Sequence, residues 1–66
     1  MQIYINGETK IFESSITVAN LIENFALDMR KVAIEVNLSI VPRSHYESTM
    51  LNEGDKIEIV RFIGGG

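Results

Sequence analysis

Apolar and polar residues alternate from the first position. Met1, Ile3 and Ile5 are separated by Gln2, Tyr4 and Asn6, a period of two that sets the aliphatic residues on one face of a β-strand. Asn6-Gly7 follows, a pair that readily accepts positive φ. Lys10-Ile11-Phe12-Glu13 then reads as a second strand closing a β-hairpin whose register stays open. The period changes next: Val18, Leu21, Ile22 and Phe25 recur at i, i+3, i+4 and i+7, the stripe of an amphipathic helix. Thr17 is its expected N-cap, with Ala19, Asn20, Glu23 and Asn24 nearer solvent. Leu27 and Met29 close that packing, and Asp28, Arg30 and Lys31 form a solvated connection.

Alternation returns in Val32-Ala33-Ile34-Glu35-Val36-Asn37, a third strand with Val32, Ile34 and Val36 on one side. Ile40-Val41 continues as a brief strand. Pro42, lacking the ladder N–H, stops it or confines it to an edge. Arg43 to Met50 is the least regular stretch. Leu51-Asn52-Glu53-Gly54-Asp55 is a turn before the final strand, Lys56 to Phe62. Hairpin, helix, then two or three strands is an α+β order in which one main helix packs across one face of a mixed sheet, as in a ubiquitin-like β-grasp. We assign residues 1–63 to this domain and 64–66 to a flexible C-terminal glycine tail.

Composition narrows the function classes. A chain of 66 residues buries roughly 60% of the surface its unfolded form exposes, which leaves little room for an interior catalytic cleft. No cysteine is present, so disulfides, cysteine-based metal sites and a persulfide on this chain are excluded. The net charge of -3, with six Lys and Arg spread along the chain, offers no electrostatic footprint for nucleic acid. No apolar run approaches a membrane span and no leader pattern opens the chain, so no membrane is expected and the expected location is cytoplasmic. His45 is the single histidine and reads as a surface or loop residue. Glu53, Asp55 and Glu58 lack the spacing of a calcium loop, so turn and surface roles and no metal are expected. Tyr4, Phe12 and Tyr46 are scattered, and packing or sheet-surface roles suffice for them.

Gly64-Gly65-Gly66 is the outlier, because glycines here add no core packing and maximise backbone freedom. A tail of three residues can project its carboxylate roughly 10 Å beyond the last strand and enter a place where side chains do not fit. A carboxylate is a poor electrophile, so chemistry at Gly66 requires an external activating step, for which adenylation by ATP is a reasonable mechanism. The chain itself then supplies no catalytic residue.

Several ordered segments carry a family resemblance. They are Ile5-Asn6-Gly7, Thr17-Val18 with Leu21, Val32 to Asn37, Ile40-Val41-Pro42-Arg43, Gly54-Asp55 and the final Gly65-Gly66. Over essentially its whole length the chain resembles the ThiS family, the sulfur carriers of thiamin biosynthesis. The resemblance implies a β-grasp carrier that is not an enzyme. Its Gly66 carboxylate is adenylated by a ubiquitin-activating-like (ThiF-like) adenylyltransferase that uses ATP and Mg, no cofactor being bound by this chain. The adenylate is converted to a thiocarboxylate with sulfur from a donor protein, and the sulfur passes to a ThiG-like thiazole synthase. Gly66 is then the modification site, and Gly65 and Gly64 serve tail recognition, Gly64 adding reach beyond the usual pair.

Docking requires a surface as well as a tail. If Ile57 and Ile59 face the helix, alternation turns Glu58, Val60 and Phe62 outward, so Val60 and Phe62, joined by Ile63, are the candidate partner-binding surface. Completion of a small core is the equal alternative for them. Carriers for molybdopterin synthesis or tRNA thiolation share the expected chemistry. A β-grasp interaction module without terminal chemistry is the rival of a different class.

Overall fold

The computed structural model describes residues 1–62. Ile63, the three tail glycines and the boundary expected before them lie outside the described residues. Five strands form one sheet in the order β2-β1-β5-β3-β4, comprising β1 (Gln2–Ile5), β2 (Glu8–Ile11), β3 (Val32–Val36), β4 (Ser39–Val41) and β5 (Lys56–Arg61). The β1–β5 pair is parallel and the other three pairs are antiparallel, so the sheet is mixed as expected.

Both hairpins turn on two residues with left-handed backbone. Asn6 and Gly7 have φ of 49° and 83°, and Asn37 and Leu38 have φ of 51° and 71°, the pattern of type I′ turns whose twist matches that of the strands. The first turn is therefore tighter than the residue pattern suggested. Pairing begins at once, with Ile5 opposite Glu8, and β2 runs Glu8–Ile11 instead of Lys10–Glu13. Two polar residues, Glu8 and Thr9, belong to the strand because the turn geometry sets its register. Beyond it the Phe12 amide still donates to the Met1 carbonyl at 2.8 Å.

The helix α1 spans Val18–Asn24 and starts at the expected cap. The Asn20 amide donates to Thr17 Oγ1 at 3.0 Å, and the Thr17 amide donates to Asn20 Oδ1 at 3.2 Å, a reciprocal capping box with asparagine in the third position. Two further N-terminal amides find carbonyls outside the helix: Val18 donates to Thr49 and Ala19 to Tyr46, at 2.9 and 2.8 Å. The helix ends one residue before the apolar stripe does. Ala26, at φ 55°, donates to Glu23 and Leu27 donates to Ile22, the paired bonds of a Schellman ending. Phe25 is therefore the C-cap and is partly exposed instead of completing the buried stripe.

The core lies between α1 and one sheet face. Ile3, Ile5, Val32, Ile34 and Ile57 supply the sheet side, and Val18, Leu21 and Ile22 supply the helix side. Tyr46 and Leu51 complete it from the connection between β4 and β5. Leu51, which the pattern placed in a turn, is fully buried, its amide donating to Ile16 at 2.9 Å. Tyr46 takes the packing role, with its hydroxyl donating to the Val32 carbonyl at 3.3 Å. Pro42 ends β4, which is an edge strand.

Candidate carrier terminus and docking face

The strand that leads to the glycine tail is the central one. β5 lies between β1 and β3, so neighbours on both sides satisfy its backbone. Three contacts outside the regular ladder hold it along its length. At its start, the Lys56 amide donates to Asn37 Oδ1 at 3.0 Å while the Asn37 amide donates to the Lys56 carbonyl at 2.7 Å. In its middle, the Ile59 amide donates to Asn6 Oδ1 at 2.8 Å and Asn6 Nδ2 donates to the Ile59 carbonyl at 3.2 Å. The Asn6 side-chain amide thus stands in for a strand residue and continues the β1–β5 pairing past the point where β1 turns away. At the end, the Phe62 amide donates to the Lys31 carbonyl at 2.8 Å.

Alternation on β5 follows the sequence expectation. Ile57 is buried and Ile59 packs against the core, whereas Val60 and Phe62 are 52% and 56% exposed. Core completion is therefore excluded for Val60 and Phe62, which form an exposed apolar surface immediately before the tail. The residues expected to recognise and carry the reaction, Gly64, Gly65 and Gly66, and the third docking candidate, Ile63, lie outside the described residues.

The other sequence candidates stay apart from this end. His45 is exposed and ends a short 3-10 turn, Arg43–His45. Both carboxylate oxygens of Glu53 accept the Gln2 amide at 3.1 and 3.2 Å, and Asp55 accepts the Asn52 amide at 2.8 Å and Asn37 Nδ2 at 3.0 Å. These are the turn roles expected of them. On the helix side of the sheet a groove of about 380 Å³ has an apolar floor of Ile5, Ile59, Phe25 and Leu27, with Lys10 and Arg61 among its lining residues. Beside it Asp28 accepts the Arg30 amide at 2.9 Å and its guanidinium at 3.2 Å, and these bonds hold the Asp28 carboxyl below its ordinary range.

Asn6 was legible as a turn residue, and neither it nor Asn37 was legible as a clamp on β5. Their left-handed φ is the recognisable signal, but no local pattern says which distant backbone the amide meets.

The comparisons agree with this geometry. The model of the ThiS family matches residues 3–66. A thiazole synthase of Paramagnetospirillum magneticum is 53% identical over 66 residues, all of this chain and 20% of that protein. A thiazole synthase of Magnetococcus marinus is 41% identical over the same share of each. The chain thus spans about a fifth of the length of these two relatives. The sulfur carrier protein ThiS of Bacillus subtilis is 33% identical over 63 residues, covering 94% of this chain and 96% of that one. Among solved structures, a thiamine biosynthesis protein (ThiS) from Geobacter metallireducens superposes with a TM-score of 0.85 at 26% identity, with both chains fully covered. A β-grasp sheet, a central strand leading to a glycine end and a family match running through that end converge: the chain belongs to the ThiS family.

Proposed function

We propose that this chain carries sulfur for thiazole formation in thiamin biosynthesis, on the carboxylate of Gly66. The observation that carries the reading is that the family match extends through Gly66, to which the doubly paired β5 leads. A carboxylate oxygen of Gly66 attacks the α-phosphorus of ATP in a ThiF-like adenylyltransferase, and pyrophosphate departs. A persulfide sulfur on a donor protein then attacks the acyl carbon and expels AMP, and a second thiol cleaves the resulting acyl disulfide, giving the Gly66 thiocarboxylate while that thiol is oxidised to a disulfide with the donor's sulfur. ATP and magnesium belong to the activating partner, and the chain is a substrate of other enzymes, not an enzyme itself. A thiazole synthase as the final acceptor is supported by the two relatives of that name that contain a copy of this domain.

Incubation with the matching activating enzyme, ATP, magnesium and a sulfur donor tests this directly. Exchange of one oxygen for sulfur raises the intact mass by about 16 Da, localised to the terminal peptide. Absence of that product while Gly66 is intact sinks the carrier reading and leaves the interaction module. One alanine appended after Gly66 is expected to abolish the gain without changing folding, because it displaces the reacting carboxylate.

A further inference from the structure

The sheet face turned away from α1 carries an arrangement that neither the core nor the tail chemistry requires. Lys56, Glu58 and Val60 lie on that side of β5, because Ile57 and Ile59 between them face the helix; Phe62 follows the end of the strand and is exposed. Strand register sets their neighbours. Val60 stands opposite Ala33 and Glu58 opposite Glu35, and Glu35 stands in turn opposite Ile40 of β4. The exposed face therefore holds an apolar group of Val60, Ala33 and Ile40 with two facing glutamates set into it, Ile40 being 74% exposed.

Like charges directly opposite on an antiparallel pair destabilise a sheet. Among the described residues neither glutamate has a cationic partner: the ion pairs there join Lys10 to Glu8 and Arg30 to Asp28, and Lys56, on the same face, makes none. A partner that covers Val60, Ala33 and Ile40 must also cover Glu35 and Glu58, since register places them side by side. Covering two carboxylates without a counter-charge carries a desolvation cost that apolar contact does not return. A guanidinium meets the need: its planar fork offers donors in several directions, and it is less strongly hydrated than an ammonium.

We propose that this face docks a partner surface centred on one arginine, its guanidinium between Glu35 and Glu58, with apolar side chains around it covering Val60, Ala33 and Ile40. The choice of thiazole synthase as the probe rests on the carrier reading. Calorimetric titration of the chain and of the Glu35→Gln/Glu58→Gln double variant into the matching thiazole synthase, at low and high salt, tests the proposal beside denaturant unfolding of both. The double variant is expected to be at least as stable as the original, because the repulsion is gone. It is also expected to bind about tenfold or more weakly at low salt, with a smaller salt dependence. Unchanged binding by the double variant, affinity lost only in step with folding stability, or no binding by the unaltered chain each overturns the proposal. Thiocarboxylate formation, read by intact mass on the same samples, scores the carrier reading separately.

Discussion

Asn6 performs two jobs that are usually divided between residues. Its φ of 49° opens the first hairpin turn, and its side-chain amide both accepts from and donates to the backbone of Ile59. Asn6→Ala removes two hydrogen bonds and places a residue with a Cβ less tolerant of the left-handed region there, so a loss of about 2–3 kcal/mol is expected in denaturant unfolding. Asn6→Gly, which relieves the backbone part, is expected to lose less. Asp28 makes a pH prediction. Its carboxyl lies below the ordinary 3.8, first because the Arg30 side chain donates to it and then because the Arg30 amide does. The unfolded form therefore binds the proton more readily, so the contribution is complete above the unfolded value and is lost as pH falls below 3.8 through the folded one. Solvent screening around this surface pair keeps that contribution small. Arg30→Gln is expected to move the Asp28 midpoint, followed by NMR, back up toward 3.8.

The short elements depend on how they end. α1 has seven residues, too few to persist alone in water, so its caps and its docking carry it. Thr17→Ala is expected to cost about 0.5–2 kcal/mol, and to cost little more when combined with Asn20→Ala, because the two side chains form one reciprocal unit. At the other end, Ala26 occupies a left-handed position that glycine tolerates better. Ala26→Gly is expected to stabilise by about 0.5–1 kcal/mol in the same unfolding measurement, since the exposed methyl contributes no packing.

On the proposed docking, stability and recognition divide between the two faces of the sheet. The face toward α1 holds the core; Val60 lies on the opposite face, and Val60 and Phe62 are both exposed. Val60→Asp, which adds a carboxylate beside Glu35 and Glu58, is expected to cost at most about 1 kcal/mol and Phe62→Asp less, while both weaken partner binding measurably. Leu51→Ala is the contrast, with an expected loss of about 2–5 kcal/mol in stability from a cavity under the helix side. If the aspartate variants lose stability as Leu51→Ala does, the division between faces is wrong.

By itself the sequence determined the order of strands and helix, though not the bounds of β2, because a period of two or of 3.6 is a local property of neighbouring side chains. It also determined the Thr17 cap, the Asn6-Gly7 turn and that Pro42 stops its strand or confines it to an edge, each readable within a few residues, whereas exposure of Val60 and Phe62 over core completion was decided by the fold. Tertiary structure alone decided what lies far apart in the chain. The Asn6 amide reaches Ile59 across 53 positions, Glu35 is brought opposite Glu58, and Tyr46 and Leu51 leave an irregular stretch for the core. Periodicity reports which way a side chain points, whereas strand order and register decide what it meets, and those are set by the collective packing of the sheet against α1.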